Sequence, residues 1–137
     1  MKKVFLDTDV ILDLLANREP YAKDSATIFG LADENRIRIY TSSLSIANLH
    51  YLLCKFIARS EAKNLIKKTR ILLHVMAVDE RVIDLALTSN FKDFEDAIQY
   101  FTAIEHNINA IISRNIKDYT HAKIPVLTPI EFLASLS

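Results

Sequence analysis

The sequence predicts an α/β fold in three layers: a central parallel sheet with helices packed on both faces. Two observations predict it. Short β-rich runs alternate with longer helical patterns along the chain, and those runs carry little polar character, as strands buried on both sides do. A third observation sets the domain count. No linker, repeat or low-complexity stretch interrupts the 137 residues, so one domain is expected over 1–137. Half of the residues are apolar, enough for a sizeable core.

The elements follow in order. "KVFL" (3–6) reads as the first strand and "VILDLLANR" (10–18) as a short helix. "PYAKDSATIFGLADENR" (20–36) opens with Pro20 at a permitted first-turn position, with Ala22, Ala26, Phe29 and Ala32 about one turn apart. "IRIYT" (37–41) alternates as a second strand, and Ser42, Ser43 and Ser45 offer caps to the apolar helix 44–58. Ser60 starts the next helix, 61–73, and "HVMAV" (74–78) is a short strand. Asp79 caps a helix over 80–89, and Asp93 opens another over 94–107. "AIIS" (110–113) and "PVLT" (125–128) are the last strands, and "PIEFLASL" (129–136) closes the chain as a helix.

Composition removes several function classes. Lysine and arginine balance aspartate and glutamate, 17 against 17, so attraction to nucleic acid must come from a local patch rather than net charge. The only cysteine, Cys54, excludes an internal disulfide and a cysteine zinc cluster. The only glycine, Gly30, lies inside an expected helix, so no phosphate-cradling loop, dinucleotide fingerprint or nucleophile elbow is present. The four histidines are scattered without metal-binding spacing. No secretory signal precedes the first strand and no apolar run is long enough to span a membrane, so a soluble cytoplasmic domain is expected.

The carboxylates carry the functional signal. Parallel sheets build their sites beyond the carboxyl ends of the strands, and Asp7 stands just past the first one. "SRNIKD" (113–118) follows the fourth strand in the same way. Asp93 and Asp96, three apart at a helix start, share one face. Acids from three distant segments meeting at one sheet edge would suit Mg²⁺ or Mn²⁺, and metal-assisted phosphodiester hydrolysis is the reaction class that fits. Each acid also has a plainer reading. Asp7 can begin a turn, Asp93 can be an ordinary helix cap with Asp96 as a dipole partner, and Asp9 and Asp13 can be a cap and a solvated face.

The segments "VFLDTDVILDLL", "TSSLSIANLHYLL", "DFEDAIQY" and "AIISRNIKDY" occur in the order and spacing of PIN domains, and the chain resembles the VapC-like toxin ribonucleases of that family over nearly its full length. The resemblance implies a PIN-like fold, Mg²⁺- or Mn²⁺-dependent cleavage of RNA, a small antitoxin protein as partner and a homodimer. It implies metal ligation by Asp7 and Asp96, with Asp93 as an auxiliary acid. Asn48 and Asn115 stand where many members carry acids, and Asp118 is placed to supply the missing charge as a third catalytic acid. Ser113 and Arg114 are expected to face a phosphate, or Ser113 to satisfy backbone at the strand end. The two asparagines keep an alternative open: a weak or inactive PIN-like module that binds RNA or a protein partner.

Charge is unevenly spread. Residues 55–70 hold Lys55, Arg59, Lys63, Lys67, Lys68 and Arg70 against Glu61 alone, whereas 79–96 hold six acids against Arg81 and Lys92. Lys55, Arg59, Lys63 and Lys67 recur every four residues and would form a phosphate-following stripe on one helix, which a break at Ser60 would interrupt. The apolar stretch around Tyr51, Leu52, Leu53, Phe56 and Ile57 suits either core or a partner surface.

Overall fold

The computed structural model describes residues 1–136; Ser137, the last residue of the expected domain, lies outside them. Strands β1 (Lys2–Leu6), β2 (Ile37–Ser42), β3 (Leu73–Met76), β4 (Ala110–Ile112) and β5 (Val126–Leu127) form one parallel sheet in the order β3-β2-β1-β4-β5. Helices α1 (Thr8–Leu15), α2 (Ala22–Asp33), α3 (Ser43–Leu53), α4 (Arg59–Thr69), α5 (Glu80–Leu87), α6 (Phe94–Glu105) and α7 (Pro129–Ser135) cover it, and a 3₁₀ turn at Ile116–Tyr119 follows β4. This is the three-layer α/β/α arrangement that the sequence predicts.

Strand alternation divides the core between the two faces. Val4 and Leu6 join Ala110 and Ile112 in the larger cluster, with Val10 and Ile11 of α1, Ile28 of α2, Leu49 and Leu53 of α3 and Phe132 of α7. Phe5 and Ile111 point the other way, onto Tyr100 and Ala103 of α6. α5 and α6 pack together through Val82, Ala86, Ala97 and Ile98.

With so little glycine, asparagine ends the helices. Asn17, Asn35 and Asn107 follow α1, α2 and α6 with φ of 51°, 58° and 56°, the left-handed conformation a helix end requires. Asn35→Ala is therefore expected to lose about 1 kcal/mol, and Asn35→Gly to match or exceed the parent. Urea midpoints check this; equal midpoints for the alanine and glycine variants would refute it.

Several boundaries differ from expectation. α2 begins at Ala22 rather than at Pro20, which follows a cis peptide, and Ala26 is exposed while Ser25 is buried in its place. The expected helix 44–58 stops at Leu53, because Ala58 is extended and uncapped before α4. Lys55 therefore leaves the helix that carries Arg59, Lys63 and Lys67. No helix among the described residues is long and apolar enough to cross a membrane.

Candidate active site

The strand order places the site. From β1 the chain moves outward to β2 and β3, then returns to lay β4 on the other side of β1. The crevice between the carboxyl ends of β1 and β4 is thus a topological switch point, where open α/β sheets bind ligands. Leu6 pairs with Ile112, so the next residues on the two strands, Asp7 and Ser113, emerge side by side. The Asp7 amide donates to the Ile112 carbonyl at 3.0 Å, which holds the two exits together.

Three helices start at this edge. Asp7 caps α1, Ser42 caps α3 and Asp93 caps α6, each accepting from a backbone amide of its own helix. The positive ends of three helix dipoles are turned toward one cluster of acids. Between them lies a cavity of about 390 Å³, walled by Asp7, Asp9, Asp93, Glu95, Asp96 and Asp118 together with Asn48 and Asn115.

Asp7 is held from three directions. Oδ1 accepts from the Thr8 amide at 2.8 Å, and Oδ2 accepts from Ser113 Oγ at 2.9 Å and Tyr119 OH at 3.1 Å. Burial still pushes its carboxyl above the usual carboxylate range, and the charge of Asp9 adds to the push, against the hydrogen bonds from Ser113, Thr8 and Tyr119. Asp96 is raised as well, to about 8, by burial first and then by the charges of Asp7, Asp93 and Asp118, with a hydrogen bond to Asp118 favouring its protonated form. Tyr119 is pushed well up by burial and by Asp7 and Asp96, so it stays a neutral donor. These acids destabilise one another's charge because they face one space.

A buried polar floor fixes their spacing. Gln99, one turn past Asp96 on α6, accepts from Ser42 Oγ at 2.5 Å and donates to Ser45 Oγ. Thr8 Oγ1 donates to the same Ser45 oxygen at 3.0 Å. Side chains from α1, α3 and α6 are therefore tied together directly beneath Asp7 and Asp96.

The residues singled out in the sequence distribute as follows. Asp7, Asp93, Asp96, Asp118, Asn48 and Asn115 all reach the cavity. Asn48 Nδ2 lies 3.5 Å from Glu95 Oε2, and Asn115 Nδ2 donates to Asp9 Oδ2 at 3.3 Å. Ser113 does not face a phosphate: it is fully buried, donates to Asp7 and accepts from the Asn115 amide at 3.0 Å, so it satisfies strand-end backbone and orients the acid. Arg114 is withdrawn too, into an ion pair with Asp13 at 2.8 Å and over the Tyr21 ring at 3.9 Å. The solvated role expected of Asp13 is overturned, since Asp13 is fully buried between Arg114 and Arg18. Asp9 is no cap; Asp7 takes that place and Asp9 turns to the cavity rim.

Thr8, Glu95 and Gln99 also line the cavity, and Tyr119 holds Asp7 beside it. Glu95 stands in the same first turn as Asp96, a signal that was present. Tyr119 and Gln99 gave none, because their roles depend on which segments the sheet brings together.

A sequence profile described as PIN domain matches residues 3–117. The chain is 32% identical over 136 residues, 96% of its own length and 93% of the relative's, to a protein described as Ribonuclease VapC1 from Aquifex aeolicus. Among solved structures it resembles a toxin-antitoxin complex from Klebsiella pneumoniae, with a TM-score of 0.69 at 19% identity, covering 92% of this chain and 97% of that one. It also resembles VapBC-1 from nontypeable Haemophilus influenzae, with a TM-score of 0.68 at 15% identity, covering 93% and 98% of the two chains. The structural matches speak for the fold; the profile and the sequence relative, each spanning most of the chain, show that it belongs to the PIN domain family.

Proposed function

We propose that the protein is a divalent-metal-dependent endoribonuclease, the toxin of a toxin–antitoxin pair. The observation that carries this is the meeting of Asp7, Asp96 and Asp118, from three distant segments, around one cavity in which burial and mutual charge push Asp96 up to about 8. The ribonuclease relative and the toxin–antitoxin structures support the activity and the partner: RNA as substrate and an antitoxin protein; a second copy of the chain as dimer mate is proposed from the family resemblance alone.

The donor set fits a hard cation. Among the described residues no three His, Cys, Asp or Glu side chains close into a finished ligand cage. An open wall of carboxylates is what Mg²⁺ or Mn²⁺ uses, because such an ion keeps several waters and takes one or two protein carboxylates plus a substrate phosphate. Asp7 and Asp96 are the proposed ligands. A bound ion would relieve the repulsion between them, lower the pKa of a water and neutralise charge building on a phosphoryl oxygen.

The chain's own groups do the rest. Ser113 and Tyr119 hold the Asp7 carboxylate in one orientation. Asp118, on the cavity wall with Asp96, would accept a proton from an attacking water. Asn115 uses its amide nitrogen on Asp9, leaving its carbonyl oxygen for the cavity. Asn48 and Asn115 add no charge, so one tightly held ion is the expected stoichiometry. The same two residues favour a second reading, a module that binds RNA or protein without turnover.

Incubating the purified protein with mixed RNA and Mn²⁺, with and without chelator, separates the two readings. Chelator-sensitive fragments support the nuclease; RNA binding without fragments supports the module.

The pH dependence follows from Asp96. Its pKa in the fold is raised, so the stabilisation from its protonated form is complete below the ordinary carboxylate value, near 4, and is lost as pH rises through about 8. The ion-free protein should lose thermal stability over that range. An ion must displace the same proton, so the rise in melting temperature on adding Mn²⁺ should be larger at pH 8 than at pH 6. A rise that does not depend on pH would rule out Asp96 as a ligand.

A further inference from the structure

The acid cavity does not end at its own rim. Tyr51 of α3 lines it and also lines a trough of about 510 Å³ between α3 and α4, whose walls include His50, Arg59 and Lys63. His50 and Lys63 in turn border a further depression that reaches Lys67. Three adjoining depressions that share wall residues thus follow one another from the acids, past an exposed aromatic ring, to a row of cations, and together outline a groove.

Building on the nuclease reading, we infer that this groove is the path of single-stranded RNA into the cavity, with Tyr51 stacking a base and Arg59, Lys63 and Lys67 following the phosphates.

The cations are arranged for the purpose. They occupy successive turns of one α4 face, all exposed, and span about 12 Å. Among the described residues none of the three makes an ion pair, and Glu61 is the only acid on their helix. Their charge is therefore available to a polyanion. The α4 cap, Ala58, offers no side chain to the first-turn amides, so those donors are also available beside Arg59.

Tyr51 is equally unusual. Its side chain lies two-thirds exposed at the junction of cavity and trough, with the Lys55 ammonium over its ring, 5.0 Å from the centroid. A presented ring with a neighbouring cation is the stacking platform used for unpaired bases, and duplex RNA, with its bases already stacked, cannot use it. Electrostatics point the same way. The acids repel phosphate, so a strand reaches the cleft only if cations next to it hold the neighbouring phosphates. The groove meets the acids at Tyr51, which a strand approaching from this side must pass.

Fluorescence anisotropy with a short labelled single-stranded RNA, with chelator present so that the strand stays whole, tests the path. The combined variant Arg59→Ala, Lys63→Ala, Lys67→Ala should bind at least about tenfold more weakly and flatten the slope of log affinity against log salt by about 2. Tyr51→Ala should weaken binding about tenfold, Tyr51→Phe should restore it, and a blunt RNA duplex should not distinguish the two. Removing Lys2, Arg36 and Arg38, three exposed cations at the opposite strand ends, should leave affinity unchanged. Unchanged affinity and slope in the α4 variant overturn the path and return the groove to a protein partner. If the variants bind like the parent while the parent cleaves RNA with Mn²⁺, the path falls and the nuclease reading stands. If binding follows these residues but no RNA is cut, the path stands and the nuclease reading falls.

Discussion

Replacing Asp7 with asparagine is expected to lower Mn²⁺-supported RNA cleavage at least about a thousandfold. The carboxylate stands at the switch point of the sheet, and its loss removes one of two proposed anionic ligands. A cation's contribution to stabilising charge in phosphoryl transfer amounts to several kcal/mol, and about 4 kcal/mol already corresponds to that factor. The fold should survive. Asparagine has the same shape, can keep accepting from the Thr8 amide, and meets hydroxyls at Ser113 and Tyr119 that can turn to accept. Because burial and Asp9 already disfavour the charged form of Asp7, the ion-free variant should melt no lower than the parent at pH 8. Its melting temperature should no longer respond to Mn²⁺. Parent-like turnover in the purified variant, or an undiminished response to the ion, would remove Asp7 from the site.

The second large effect is structural. Asp13→Ala should cost about 3 kcal/mol and lower the melting temperature by roughly 10 °C. Asp13 is fully buried, with Arg18 Nε and Arg114 Nε each 2.8 Å from one of its oxygens. Burial pushes its carboxyl up, and Arg114 and then Arg18 pull it back. Such a cluster is costly to assemble and costlier to break, since alanine leaves two guanidinium groups facing each other over a void. Both arginines remain partly exposed, at 30% and 24%, so water recovers part of the loss and the figure falls at the lower end for a buried pair. Arg114 lies between Ser113 and Asn115, so the variant should also cleave RNA more slowly as the segment after β4 loosens. A melting temperature within about 2 °C of the parent would show that the cluster contributes little.

Much of the fold could be read along the chain. Strands such as 3–6 and 110–113 are short apolar runs, and Asp79 and Asp93 cap the helices they precede, as local rules require. The ends of elements were less legible. Nothing local says that the helix after β2 stops at Leu53, because Cys54, Lys55 and Phe56 are all able to continue it. Asparagine at 17, 35 and 107 replaces the expected glycine at helix ends, a substitution that composition hinted at but did not locate.

For the candidate site the division is sharper. Four segments, and the acids that three of them carry, were legible, because strand ends and helix starts are local features and PIN-like motifs are short. Their surroundings were not. Asp13 reads as part of a solvated face and is buried; Ser113 reads as either phosphate-facing or bound to strand-end backbone, and the second holds; Asp9 reads as a cap and instead walls the cavity with Glu95.

By itself the sequence determined the order of strands and helices, the poverty of glycine and the chemistry available, which is carboxylate and amide oxygen rather than thiolate or imidazole. Only the tertiary structure decided which of those oxygens meet. β1 lies between β2 and β4, and its register sets Asp7 beside Ser113 across more than a hundred residues of chain. Periodicity and capping act within a few turns, whereas strand order and register come from packing the whole core, so no local pattern encodes them.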